Sequence, residues 1–443
     1  MEYILMNKNM PLMEVSKEEE ETEFLSIGRR YNIGFSPLIL QKSLNKKEED
    51  LLKVLNQWYN SRAIPNDRDE KNKILERFNI KRTDELLNMD YGLSLSDQYW
   101  LKPLNENVCW EDINYFHNDY DSREFFDAVY GDGTYQSLKI NSTESDKFRT
   151  PNNSLTGQLK KAWVKIDGEN WMFKGSNTIY GFEQVNEVLA SNICKVLNVP
   201  HVEYTLKTIE DKRNYTLMSA CPCIIDDKTE MISAYEILYG EDLHGDERDL
   251  KRYIEILEEH EVPNAREYVE KMFMLDYIIL NEDRHMGNFA VIRNVENLLW
   301  EKVCPIYDSG RSMCTNVTEG YWDFNENDVK CFSRGMISSE RLPSCFTVSI
   351  RQSQIDELRY VADDYAKLLK DNQKYIKLFD NQIQKLHAGL SQRIDKFEDI
   401  MKEKGLIIND QNLGIKGFIS RANEKKEKDV SAIHQRRSPD KER

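Results

Sequence analysis

The stretch that decides the reading is Leu280-Asn-Glu-Asp-Arg-His-Met-Gly-Asn-Phe289. It follows an apolar run over 272–280 and leads into a β-like run over 289–293, so a buried helix end delivers Asn281, Asp283, His285 and Asn288 onto a short loop. Beyond it stands Asp308, inside Ile306-Tyr-Asp-Ser-Gly310, a second carboxylate at a strand end followed by a glycine. Each residue alone is ordinary, since loop aspartates are mostly caps or turn formers. The joint pattern of helix, N-x-D-x-H-x-x-N, hairpin and D-x-G carries more. Phosphoryl transfer needs a carboxylate or imidazole to orient the attacking hydroxyl. It also needs an amide oxygen and a second carboxylate to hold magnesium against ATP phosphates.

The D-x-x-x-x-N spacing from Asp283 to Asn288 matches that of the protein-kinase catalytic loop. Working upstream, 162–166 and 171–174 are short strand-like runs around Asp167-Gly168-Glu169-Asn170, a hairpin turn. Residues 183–197 predict a helix with Val185, Leu189, Ile193, Val196 and Leu197 on one face. Strands follow at 201–209 and 214–219, with a turn at 210–213 between them. Helices then dominate, at 246–260, 264–280, 353–370 and 373–404, with a hairpin over 289–306 whose turn lies near 294–297.

The first 150 residues read differently. A strand is expected at 3–6 and helices at 46–61, 67–78 and 83–87, followed by aromatic-rich sequence through Tyr130 that denotes packing. No chemistry motif stands out there, and 130–153 reads as a loop or linker. The final 417–443 segment mixes Lys, Arg, Glu, Ser and Pro without apolar periodicity and is expected to be a disordered charged tail.

Composition bounds the answer. With 443 residues, 40% hydrophobic and 31% charged, the chain is globular and too long for one core. A net charge of -16 speaks against direct nucleic-acid binding. No window supplies the roughly 20 apolar residues of a membrane helix, and a cytoplasmic location is expected. The eight cysteines lack zinc spacing and read as free thiols.

The loop resembles that of HipA-type serine/threonine kinases of bacterial toxin–antitoxin systems, which carry N-x-D-x-H-x-x-N. It is also similar to phosphatidylinositol kinases, whose loop reads D-R-H-x-x-N. Ser154-Leu-Thr-Gly-Gln-Leu-Lys-Lys161 resembles the HipA S-x-x-G-x-Q-x-K loop, with Gln one position early. Asn186-Glu through Asn198-Val-Pro200 follows the family's helix, with Asn198 where a glycine would stand. The likeness covers about 150–390, and the first 150 residues do not look like the usual HipA N-terminal domain.

The resemblance implies roles. Asp283 would be the catalytic base, and Asn288 and Asp308 would bind magnesium. Lys174 would contact the ATP phosphates with Glu187 as its ion-pair partner, Lys165 being the competing lysine. His285 would support the loop or act on the hydroxyl. Gly157 and Lys161 would lie by the phosphates, and Met218 and Ser219 near the adenine. Ser154 matches the position that such kinases autophosphorylate.

The expected fold class is α+β. A two-lobed protein-kinase-like core has a small β-rich N-lobe at 151–230 and a helical C-lobe at 231–416. An extra N-terminal α/β domain occupies 1–150. The expected activity is ATP- and Mg-dependent phosphorylation of a Ser or Thr on a protein, with an antitoxin or regulatory partner in view. The rival readings are a lipid or small-molecule kinase and a nucleotide-binding regulatory protein without turnover.

Overall fold

The computed structural model describes residues 1–18, 21–138, 146–211, 214–325, 328–331, 335–338 and 341–409. The charged tail lies outside the described residues, as do parts of the 130–153 linker and of the turn at 210–213.

The chain opens with an antiparallel four-stranded sheet, in the order Phe24–Arg30, Met10–Lys17, Glu2–Asn7, Tyr99–Pro103. Its inward residues Leu5, Leu12, Met13, Val15 and Phe24 pack on Leu51, Val54, Leu55, Trp58 and Tyr59 of the helix Glu48–Asn60. That helix presents one apolar face at the 3.6-residue period, the reason it folds onto a sheet.

A second antiparallel sheet runs Lys161–Ile166, Glu169–Lys174, Asn214–Pro222, Thr205–Asp211. Its first hairpin turns at Asp167 and Gly168, with φ of 51° and 85°, the doubly positive geometry that two-residue hairpins favour. One face, with Ala162, Val164, Phe173, Met218 and Ala220, shares a hydrophobic core with Ile64, Ile74, Phe125, Phe126 and Tyr130. Residues 64–135 therefore contribute to the same core as this sheet. The other face turns toward the helix Glu183–Leu197.

That helix belongs to the largest core, with Ala265–Ile279, Gln352–Asp371 and Asp380–Glu403. It ends at Asn198, whose φ of 52° is the left-handed cap that glycine usually supplies and asparagine tolerates. A three-stranded sheet, Trp300–Val303, Ala290–Asn294, Thr229–Ser233, sits beside this helical body.

The strands Met10–Lys17, Phe24–Arg30 and Tyr99–Pro103 and the helix Arg123–Tyr130 stand where the sequence reading expects none, and several expected elements start later. The helix expected over 373–404 begins only at Asp380. Before it the chain turns, burying Ile376 and Leu378 and donating Lys377 N–H to Tyr180 O at 2.8 Å. The strand expected from 201 begins at Thr205. Residues 200–202 pair instead in parallel with Ile306, through Ile306 N–H to Pro200 O and Val202 N–H to Ile306 O, both 2.9 Å. This crossing fixes the backbone just before Asp308.

Candidate active site

The helix Ala265–Ile279 stops at Leu280, whose φ of 51° turns the chain out of the helix. Asn281 ties the turn down. Its Nδ2 donates to Asp276 Oδ1 at 2.7 Å, and its Oδ1 accepts Asp283 N–H at 3.0 Å. Asn288 closes the loop by donating Nδ2 to Asp283 O at 2.8 Å. The Asp283 carboxylate is left half-buried, with Arg311 at 3.7 Å as its ion partner. His285 folds back on its own loop and accepts Gly287 N–H on Nδ1 at 3.0 Å. That places the proton of the neutral ring on Nε2.

Beneath the loop lies Arg284, fully buried. Its guanidinium donates to both oxygens of buried Asp276 at 3.0 Å, to Asn288 O and Tyr307 O at 2.8 Å, and to Ser309 Oγ at 2.7 Å. Those five bonds use every donor the side chain has. They lock the 281–288 loop to the segment around Asp308. Sequence reasoning passed over Arg284 although it sits inside the quoted motif. Nothing in a one-dimensional motif shows that an arginine points inward.

Asp308 itself sits at φ 55°, a left-handed conformation that aspartate tolerates at modest strain. Lys174, at the end of its strand and 7% exposed, donates to Asp308 Oδ1 and Glu187 Oε1 at 2.9 Å and to the Tyr204 hydroxyl at 3.0 Å. The other Glu187 oxygen accepts Ser309 N–H at 2.9 Å. The Tyr204 hydroxyl also accepts Asp308 N–H at 3.3 Å. Tyr204, unmarked in the sequence, is thus a member of the cluster. Lys165 points elsewhere, donating to Asn118 O at 2.7 Å.

The electrostatics separate the two acids on Lys174. Burial would raise the Asp308 carboxyl, but the charges of Lys174 and Lys161 overcome it and hold it well below the usual carboxylate range. For Glu187 burial wins over Lys174 and raises its pKa. Lys174 stays protonated: burial opposes its charge, while Asp308 and Glu187 together outweigh that effect. Lys161 has no such surplus, and burial brings its pKa down to about 8 despite Asp308.

Gly157 has φ 91°, and any Cβ there would collide with the Lys161 ammonium. Lys161 is therefore folded under the glycine loop. Ser219 pairs with Lys174 across the sheet, and its hydroxyl is buried without a partner. Met218 lies on the opposite face, buried in the core with Phe173 and Phe126, and is not brought to the cluster. Ser154 is buried and donates Oγ to Leu93 O at 2.7 Å.

Asn288 spends its amide nitrogen within the loop, which leaves its carbonyl oxygen for a cation. It and the Asp308 carboxylate are hard oxygen donors of the kind that could hold magnesium. Among the described residues no three His, Cys, Asp or Glu side chains cluster as a metal site. Two protein donors, completed by phosphates and water, are what magnesium commonly uses with nucleotides.

No protein-family model matches the sequence, and no curated protein matches it. Solved structures do. The HipA, HipB and operator DNA complex of the Shewanella oneidensis MR-1 toxin–antitoxin system gives a TM-score of 0.50 at 11% identity, covering 90% of this chain and 98% of that one. The Helicobacter pylori proinflammatory kinase CtkA gives 0.41 at 17% identity, over 56% of this chain and 95% of that one. At such identities the likeness speaks to fold: the chain has a mixed α+β, HipA-like kinase fold.

Proposed function

We propose that this chain is an ATP-dependent phosphotransferase of HipA-like type, acting on a Ser or Thr of a protein, itself included. The observation that carries the reading is the buried Lys174–Glu187–Asp308 cluster, joined through Arg284 to the loop bearing Asp283 and Asn288. A lysine between two carboxylates is charged and positioned, ready to pair with phosphate oxygens. Asp283 has an open carboxylate beside the loop, where it can orient an acceptor hydroxyl and take its proton. His285, tethered by Gly287, steadies that loop. Asn288 and Asp308 would hold magnesium, which supplies charge neutralisation to the phosphates when bound. Lys161 and the Gly157 loop would flank the phosphates. The apolar group of Val202, Tyr204 and Cys221, with Met172 and Ile224 against it, offers a surface for the adenine beside Ser219.

We assign the kinase lobes to 151–230 and 231–416 and an accessory role to 1–150. The Shewanella structure holds HipA with HipB, and a protein partner of that kind is part of the proposal. Among the described residues no helix is long and apolar enough to cross a membrane. We place the activity in the cytoplasm, with no direct nucleic-acid contact. The D-R-H-x-x-N form of the loop keeps a small-molecule or lipid acceptor as the second reading.

The deciding experiment is transfer of labelled phosphate from ATP and magnesium by the wild type, Asp283→Ala and Asp308→Ala. Labelling of the protein itself or of a lysate protein by the wild type alone supports the reading. Wild-type labelling confined to lipids or small molecules moves the acceptor to the second reading, and ATP binding without any transfer overturns both.

A further inference from the structure

The segment Asp67-Arg68-Asp69-Glu70 lies in the part of the chain where the sequence offers no motif, yet it grips the loop that contains Gly157. Arg68 is 2% exposed. Its Nη1 donates to Leu155 O at 3.3 Å and its Nη2 to Lys161 O at 2.7 Å. One guanidinium therefore closes both ends of the 155–161 loop. Gln158, nearer the tip, donates Nε2 to Asp67 Oδ2 at 2.5 Å. Tyr130, from the same region of the chain, donates its hydroxyl to Lys160 O at 3.4 Å and Phe173 O at 3.2 Å.

Glu70 supplies an independent observation. It is 2% exposed, and neither carboxylate oxygen makes a close hydrogen bond. Its neighbours are two cations, Arg68 at 3.6 Å and Lys160 at 3.8 Å. Burying a carboxylate without close hydrogen bonds costs stability. Packing alone would favour an apolar residue here. What the acid does accomplish is to hold Arg68 against the loop's carbonyls and to draw in Lys160 from the loop itself.

We propose that Arg68, aligned by Glu70, is a positioning residue for the candidate phosphate-binding loop, so that the first 138 residues complete the nucleotide site. This rests on the phosphotransferase reading only for the identity of the ligand. The clamp acts by restricting the loop. With its ends fixed, the backbone N–H groups near Gly157 and the Lys161 ammonium keep the spacing that a polyphosphate requires, and less ordering remains to be done on binding.

The test uses the full chain and two variants, Arg68→Met and the surface change Asp67→Ala. Amide hydrogen exchange over 156–161 is followed without nucleotide, and the Kd for ATP with magnesium is measured by calorimetry. Arg68→Met is expected to speed exchange at those amides about tenfold, leave the 2–17 strands unchanged, and weaken ATP about tenfold. Asp67→Ala, which removes only the Gln158 contact and keeps the core intact, is expected to give a two- to threefold change in the same two readouts. The proposal is overturned if exchange over 156–161 is unaltered, if it rises equally throughout 1–138, or if ATP affinity does not change while the loop loosens. A wild type that binds no ATP would instead remove the phosphotransferase reading, and the exchange data would still decide whether the clamp exists.

Discussion

Arg284 and Lys174 are both buried cations, and they hold the same short segment. Arg284 takes Tyr307 O and Ser309 Oγ, while Lys174 takes the Asp308 side chain between them. Their surroundings differ in kind. Arg284 is wholly buried and has every donor bonded, to a carboxylate that is itself fully buried and to main-chain and hydroxyl oxygens. A planar guanidinium so committed has nothing left for a ligand. Lys174 is a point charge on a flexible stem, and the Asp308 side chain it holds is still 25% exposed. The two acids beside it are pushed in opposite directions, Glu187 up and Asp308 down. On the proposed reading, one cation stays as it is and the other exchanges partners.

The comparison breaks most directly at Arg284. Arg284→Met strands Asp276 without its ion partner, and removing one member of a buried pair destabilises by about 3–5 kcal/mol. Urea denaturation should show that loss. A loss under about 1 kcal/mol would mean that Arg284 is no brace.

Lys174→Met is the complementary test. Phosphate transfer is expected to fall about 10²- to 10³-fold, the effect of removing one charged group from a transition state. Stability should fall less than for Arg284→Met, because Glu187 can take up a proton in place of its lost partner. The sign follows from linkage. Glu187 already has a folded pKa above its ordinary value, and losing Lys174 raises it further. The folded variant then binds more protons than the unfolded chain, so its stability falls as pH rises from the ordinary carboxylate range through that raised value. A variant whose stability is flat with pH across that window would show that Glu187 does not titrate there.

How much of this was legible in the sequence follows the same division. The 183–197 helix, the 161–174 hairpin and the 265–279 helix could be read because apolar period and an Asp-Gly turn announce them. Asp283, Asn288 and Asp308 could be named because their types and spacing are chemical, and Lys174 and Glu187 through the resemblance to HipA-type kinases. Arg284, Tyr204 and Arg68 could not, since their importance lies in which way a side chain points and which distant carbonyl it meets. The resemblance puts Met218 near the adenine, whereas the two-residue alternation of strands sets it on the other face from Ser219, in the core. The 372–379 turn was hidden because Ile376 and Leu378 continue an apolar pattern that a helix would also satisfy.

Gly310 sharpens the comparison by asking how closely the two halves must meet. A Cβ there would lie 2.9 Å from Glu183 O and 3.3 Å from Glu187 Cγ. The first contact is backbone and cannot swing aside. Gly310→Ala is expected to push the Glu183–Leu197 helix from the Asp308 segment and to destabilise by about 1–3 kcal/mol. It should also lower transfer, because Glu187 and Asp308 would no longer share Lys174. Thermal denaturation beside the transfer assay reads both, and an alanine variant with unchanged stability and activity would show that the approach is not tight.

The smallest expected effect belongs to Lys161, and it isolates charge from structure. Its ammonium lies under Gly157, and burial lowers its pKa to about 8 in the presence of Asp308. Only the protonated form attracts a phosphate, so ATP affinity should decline as pH rises through about 8 if Lys161 faces the nucleotide. Stability should move the other way. The unfolded chain holds that proton up to the ordinary lysine range, so between about 8 and that range the unfolded state binds more protons and folding becomes more favourable with pH. Lys161→Met should remove both slopes and weaken ATP about tenfold near neutral pH, a loss of roughly 1.4 kcal/mol. Bound ATP would itself raise the pKa of Lys161, so the decline should begin near 8 and level off once the pH passes the higher value of the complex. Titration calorimetry from pH 7 to 9.5 on the wild type and the variant separates these cases. Parallel curves would place Lys161 away from the phosphates and leave Lys174 as the lysine that meets them.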